Sequence, residues 1–195
     1  MKTEIEVKFL HVDFDDIRER LSALGATMTQ PMRLMRRALL RTPDMSDPLR
    51  DGFIRVRDEG DKVTLTYKQF GEKPSLTGAK EIEVVVSDFQ ATLDIFAQAD
   101  LASTSFQETR RETWRLGEAE VVLDEWPWVD PYIEIEGGSE ELVKATAKDL
   151  GFDWNDAVFG SAVQVYQAQY PHSDAKGIIS LPEAKFGAPL PDMFK

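Results

Sequence analysis

The sequence predicts an α+β fold: an eight-stranded antiparallel β-barrel with a charged lumen and helices packed on its outside. Three observations lead there. Eight segments alternate apolar and charged residues with a period of two, between turn signals such as Glu59-Gly60-Asp61, Leu116-Gly117-Glu118 and Trp126-Pro127. On the charged faces like charges stand two residues apart, as in Glu4-x-Glu6, Arg55-x-Arg57, Glu81-x-Glu83 and Glu134-x-Glu136. A solvated face mixes its signs, whereas such pairs repel unless the faces converge on opposite charge. Between the strands lie amphipathic helices, whose apolar stripes need a surface that outward-facing strand residues would supply. Ordinary small barrels are apolar inside; this one reads as turned inside out.

The first strand, residues 2–11, places Glu4, Glu6 and Lys8 on one face and Ile5, Val7 and Phe9 on the other, because successive side chains alternate. Two carboxylates a pleat apart, with an ammonium beside them, suit a divalent cation. A helix over residues 13–24 follows, with Asp13 as N-cap and Phe14, Ile17, Leu21 and Leu24 along one stripe. Its other face, with Asp15, Asp16, Arg18, Glu19 and Arg20, reads as solvated. Strands are expected next at 32–42, 53–59, 62–70 and 79–86. Their apolar faces carry Ile54 and Val56, then Val63, Leu65 and Tyr67, then Ile82 and Val84. A second helix, 88–99, lines up Phe89, Leu93 and Phe96. Strands 104–116, 119–126 and 131–137 complete the eight, in an up-and-down order. The parity of 104–116 is ambiguous by pattern and is read with Arg111 inward and Arg110 outward. Ser139 caps a third helix through Leu150, with Glu140 and Glu141 in its first turn and Gly151 after its end. A fourth is expected over 155–170, anchored to the barrel by Phe159 and Tyr166.

One domain over 1–170 is expected, with a tail from Pro171 to residue 195 that carries four prolines and two glycines and is read as extended, packed on the body or partly mobile. A net charge of −12 argues against a nucleic-acid surface, which needs a basic footprint. The absence of cysteine excludes disulfides, thiolate metal sites and thiol nucleophiles. No apolar run approaches the length of a membrane span, and the chain opens on a charged strand rather than a signal peptide. A soluble, unprocessed cytoplasmic protein is expected, monomeric or homodimeric, with neither nucleic acid nor membrane as a partner.

Within the lumen the charges are of two kinds. Glu4, Glu6, Glu81, Glu83, Asp124, Glu134 and Glu136 offer hard oxygen ligands, which suit Mg²⁺ or Mn²⁺ rather than zinc. Lys8, Arg37, Arg41, Arg55, Arg57, Lys68 and Arg111 offer a track of cations for several phosphates, the arginines being able to bind them bidentately. Residues 33–57 hold seven arginines against three aspartates in an otherwise acidic chain, which favours a polyanionic ligand.

The sequence resembles the CYTH family, or triphosphate tunnel metalloenzymes, whose signature is Glu-x-Glu-x-Lys on the first strand. The resemblance runs in order through Glu4-Ile5-Glu6-Val7-Lys8, Gly52-Phe53-Ile54-Arg55-Val56-Arg57, Leu65-Thr66-Tyr67-Lys68, Glu81-Ile82-Glu83, Arg110-Arg111-Glu112-Thr113-Trp114, Leu123-Asp124 and Tyr132-Ile133-Glu134-Ile135-Glu136. It implies an eight-stranded tunnel that binds a triphosphate group through basic residues and one or two divalent metals through glutamates. Two departures alter the lining. Met35-Arg36-Arg37-Ala38-Leu39-Leu40-Arg41-Thr42-Pro43 has arginine where relatives carry aspartates, and Thr109 stands where a lysine is common.

The expected function is a metal-dependent hydrolase of a triphosphate, inorganic or organic, with Glu4, Glu6 and Lys8 at the chemistry and a small-molecule triphosphate as partner. Glu4, Glu6, Glu134 and Glu136 would hold the metal, with Glu81, Glu83 and Asp124 available to complete its shell or, for the first two, to pair with lumen arginines. The alternatives are an adenylate cyclase of class IV type, making cyclic AMP and pyrophosphate from ATP, and a non-catalytic polyphosphate- or nucleotide-binding module. His11 and His172, the only histidines, are read as surface or structural. Trp126 and Trp128 are read as packing at the tunnel mouth, with ring stacking on a substrate as the competing role.

Overall fold

The computed structural model describes residues 2–41, 52–70, 74–77 and 79–195. The expected strand residue Thr42, Pro43 beside it and Arg50 of the arginine-rich stretch lie outside those residues.

Among the described residues, ten strands form one sheet. They are β1 (Lys2–Glu4), β2 (Glu6–Leu10), β3 (Thr27–Leu40), β4 (Phe53–Asp58), β5 (Val63–Phe70), β6 (Ala79–Val86), β7 (Ser103–Leu116), β8 (Ala119–Glu125), β9 (Tyr132–Glu136) and β10 (Glu183–Ala184). Five α-helices accompany them: α1 (Phe14–Ala23), α2 (Phe89–Gln98), α3 (Glu140–Asp149), α4 (Ala162–Gln169) and α5 (Ala175–Ile179). The strand order is β1-β6-β5-β4-β3-β7-β8-β9-β2, every neighbour antiparallel, with β10 parallel to the start of β7. The expected first strand is divided at Ile5: β1 pairs with β6 and β2 pairs with β9, so the two halves of one extended segment close the barrel. The order therefore departs from a plain up-and-down succession. Two meanders, β3 to β6 and β7 to β9, meet along β3 and β7, and α1 carries the chain from the seam to that junction.

The helices cover the barrel from outside. Val7 and Phe9 of β2, Val121 and Leu123 of β8, and Ile133 and Ile135 of β9 pack against Ile17 and Leu21 of α1 and Val143, Ala147 and Leu150 of α3. Burying each such side chain contributes about 1.5–3 kcal/mol. Ala38, Leu40 and Val56 are covered by Leu93 of α2, flanked by Phe89 and Phe96. This cover has a gap. Ile82 and Val84 point outward as the alternation requires, yet each remains 53 % exposed.

Two C-terminal expectations need correction. Instead of a helix over 155–170, a 3-10 turn at Trp154–Asp156 is followed by extended chain and then by α4. Val158 exchanges backbone hydrogen bonds with Lys8 at 3.0 and 2.9 Å, and Gly160 adopts φ +103°; neither fits a helix. Ser161 restarts the helix with a capping box closed by Gln164. The segment after Pro171 contains α5, β10 and a 3-10 turn at Asp192–Phe194 rather than extended chain alone. Phe194 stacks on Tyr166 and Tyr170 with centroids 5.3 and 4.7 Å apart.

Candidate functional site

The lumen is a cavity of about 440 Å³, lined by both kinds of charge. Its lining follows from strand parity. β1 and β2 contribute Glu4, Glu6 and Lys8; β3 contributes Arg33, Arg37 and Leu39, with Arg41 just beyond its end. Arg55 and Arg57 come from β4, Lys68 from β5, Glu81 and Glu83 from β6, Gln107, Arg111 and Thr113 from β7, Glu120 from β8, and Glu134 and Glu136 from β9. Asp124, fully buried, reaches the same space through Arg111. Arg110 points out, pairs with Glu125 at 3.0 Å and lies over Phe186.

One end of the cavity is closed. The strand ends at Leu10, Trp126 and Tyr132 pack against Val163, Val165 and Tyr166 of α4, Ile178 of α5, and Phe194. Trp128 donates its indole N–H to the Ala188 carbonyl at 2.8 Å, and the Tyr166 hydroxyl donates to the Pro127 carbonyl at 2.8 Å. Trp126 is thus at the sealed end and Trp128 is tied to the C-terminal segment. Toward the opposite end of the same strands, Glu6 stands beside Glu136 and Glu136 beside Glu120 in register.

Most lumen cations face a carboxylate. Lys8, 1 % exposed, donates to Glu6 at 3.0 Å and lies 3.2 Å from Glu134. Burial pushes its ammonium down, but Glu134 and Glu6 outweigh that and hold it above its ordinary value. Burial pushes Glu134 up, while Lys8, Arg111 and Lys68 prevail and hold it at about 2. Arg111 takes Asp124 bidentately and donates to Glu134 at 2.9 Å. Arg57 donates twice to Glu59, at 2.9 and 2.6 Å, and Lys68 meets Glu4 at 2.5 Å. Arg55 shares Glu83 with Thr66, and burial next to Arg57 lowers it to about 10.

Gly52 permits the approach of β4 and β5 that brings Arg55 and Lys68 together. Its φ is +80°, and a Cβ there would lie 2.3 Å from the Lys68 carbonyl oxygen.

Two features fit these carboxylates to a hard cation. Glu81, pushed up to about 7 by burial and by Glu4 beside it, belongs to a like-charged pair that a divalent ion would relieve. Glu4 Oε2 is buried without a hydrogen bond of acceptable geometry, despite its ion pair. Among the described residues, no three ligating side chains converge on one point.

Arg33, Glu59, Gln107 and Glu120 also line the cavity and were not among the expected site residues. Each shares parity with one that was: Arg33 with Arg37, Glu59 with Arg57, Gln107 with Arg111, Glu120 with Asp124. Extending each alternation by one or two pleats would have found them. Thr109, expected to alter the lining, is buried on the inward face of β7 and 4 % exposed.

A family model described as the CYTH domain matches residues 2–157. No curated protein matches the sequence. Among solved structures, the PH1012 protein of Pyrococcus horikoshii is 22 % identical with a TM-score of 0.68, over 83 % of this chain and 98 % of that one. A candidate adenylate cyclase from Vibrio parahaemolyticus is 11 % identical with a TM-score of 0.70, over 84 % and 97 %. A candidate adenylyl cyclase from Hippeastrum, described as having a dominant triphosphatase activity, is 18 % identical with a TM-score of 0.53, over 82 % and 91 %. At these identities the likeness is one of fold.

Proposed function

The chain belongs to the CYTH domain family, and from that premise we propose that it is a divalent-metal-dependent hydrolase of a triphosphate, inorganic or organic, releasing orthophosphate. The observation that carries this reading is Lys8, buried at 3.0 Å from Glu6 and 3.2 Å from Glu134 in a cavity ringed by further cations. β2 and β9 thereby present carboxylates and an ammonium to the same space. The dominant triphosphatase activity described for the Hippeastrum neighbour is consistent with it.

Glu4, Glu6, Glu134 and Glu136 would hold Mg²⁺ or Mn²⁺, with Glu81, Glu83 or Asp124 available to complete the shell, although Arg55 already engages Glu83 and Arg111 engages Asp124. When bound, the metal polarises the terminal phosphate and lowers the pKa of an attacking water. Lys8, Arg55, Arg57, Lys68 and Arg111, with Arg37 and Arg41, hold the phosphate chain and offset charge on the transferring group, which is most of what phosphoryl transfer requires. Their partners Glu59 and Asp124 keep Arg57 and Arg111 in place beforehand, so little ordering remains to be done on binding.

The test is a panel of tripolyphosphate, ATP and thiamine triphosphate with Mg²⁺ or Mn²⁺. Orthophosphate release that disappears in Glu4→Ala and Glu6→Ala supports the hydrolase. Cyclic AMP and pyrophosphate from ATP would replace it with a cyclase, and binding of the panel without turnover would leave a binding module.

A further inference from the structure

We propose that the closed end of the lumen is an anion subsite of its own, where Trp126 positions Arg37 and donates its indole N–H to an oxygen of a phosphoryl group at the end away from Glu6, Glu120 and Glu136. This rests on the reading of the lumen as a triphosphate site and adds to it which residues hold the end of the ligand away from the metal.

The charge distribution separates this end from the rest. Lys8, Arg57, Lys68 and Arg111 each pair with a lumen carboxylate. Among the described residues Arg37 and Arg41 form no ion pair, although both line the cavity. Arg37 is instead fixed by neutral groups on two sides. Its guanidinium carbon lies 4.1 Å from the Trp126 ring centroid, and its Nε donates to Gln107 Oε1 at 2.7 Å. Gln107 donates in turn to the Ser105 hydroxyl at 3.0 Å, and Ser105 to the Leu181 carbonyl at 2.6 Å, so the orientation is anchored in the C-terminal segment. These contacts hold the guanidinium without cancelling its charge.

The second observation is a set of buried donors with nothing to donate to. Trp126 is 8 % exposed and lines the cavity, yet its Nε1 has no hydrogen-bond partner; the same holds for Nε and Nη2 of Arg41. An indole N–H can only donate, and buried donors are ordinarily satisfied. A free indole N–H beside a guanidinium that no described carboxylate pairs suits an anionic oxygen and disfavours a metal ion. Burial and the nearby Arg55 and Arg57 lower Arg37 to about 9, which an incoming anion would reverse.

Calorimetric titration with tripolyphosphate in EDTA, and separately with Mn²⁺ alone, tests this on the wild-type protein and on Trp126→Phe. Phenylalanine keeps a ring under Arg37 and removes the N–H. Tripolyphosphate should weaken roughly tenfold, as for one hydrogen bond to a charged group, while Mn²⁺ binding stays as in the wild type. Unchanged tripolyphosphate affinity, equal loss of both ligands, or no metal-free binding by the wild type would overturn the subsite. If Trp126→Phe loses its circular dichroism signal, Gln107→Ala, which frees Arg37 from its other side, carries the same expectation, and the same three results would overturn it. Failure of the hydrolase reading is distinguishable: no turnover with a Trp126-dependent affinity removes the reaction and keeps the subsite, and turnover with unchanged affinity does the reverse.

Discussion

At the scale of single residues, Lys8 has the largest predicted effect. Removing it strips Glu6 of its ion-pair partner and leaves Glu134 with Arg111 alone in a buried place. Lys8→Met should cost about 3–5 kcal/mol of unfolding free energy, the usual result of stripping one partner from a buried ion pair, and abolish turnover. Urea denaturation and a phosphate-release assay check the two halves. Glu81 gives a pH dependence whose sign is fixed. Its folded value of about 7 lies above the unfolded value of about 4.3, so the folded protein binds the extra proton between them. The stability Glu81 contributes is full below the unfolded value and is lost as pH rises through about 7. Metal-free Glu81→Gln should therefore match the wild type at low pH and exceed its stability at pH 8, in denaturation curves at both. Inward-facing residues were legible wherever charge alternated cleanly, as in Glu4, Glu6 and Lys8. Gln107 was passed over, because a neutral side chain announces no face by its charge and only its parity with Arg111 reveals it. Trp126 was read as packing at the tunnel mouth and does pack at a strand end, but that this end is closed was not legible, because α4, α5 and Phe194, which close it, come later in the chain.

Among the elements, those dictated by local chemistry were the readable ones. The Asp13, Asp88 and Ser139 caps, each accepting backbone N–H bonds from the first turn, set the starts of α1, α2 and α3. The fourth expected helix failed because its first half is recruited by a strand edge: Val158 pairs with Lys8 across 150 positions of sequence, and no periodicity reports such a contact. The split at Ile5 was hidden for a similar reason, since alternation continues unbroken through it. Gly52 tests how tightly β4 and β5 must approach. Gly52→Ala combines a positive φ with a Cβ 2.3 Å from a backbone oxygen, so it should cost more than about 1 kcal/mol and, by displacing Lys68 relative to Arg55, raise KM for tripolyphosphate. Thermal melts and steady-state kinetics report on each.

Over the whole molecule, inside-out polarity was legible and its completeness was not. The outward apolar faces are covered by α1, α2 and α3, yet Ile82 and Val84 of β6 stay half exposed, because α2 lies over β3 and β4 instead. The sealed end depends on the last residues of the chain. Phe194, 3 % exposed between Tyr166 and Tyr170, should cost about 3–5 kcal/mol when cut to alanine, with a lowered Tm in calorimetry. No helix of the described residues is long and apolar enough to cross a membrane.

The division at Ile5 bears on when a working site can first exist. Glu4 is held by β6 and Glu6 by β9, so a segment made before all the other strands of this barrel is among the last to find both its partners. During translation the Glu-x-Glu-x-Lys segment precedes its second edge, which is absent until residues 132–136 have followed. A growing chain can therefore carry every residue of its first strand and still have no lumen, and the step that closes the wall also brings the two glutamates into a common chamber.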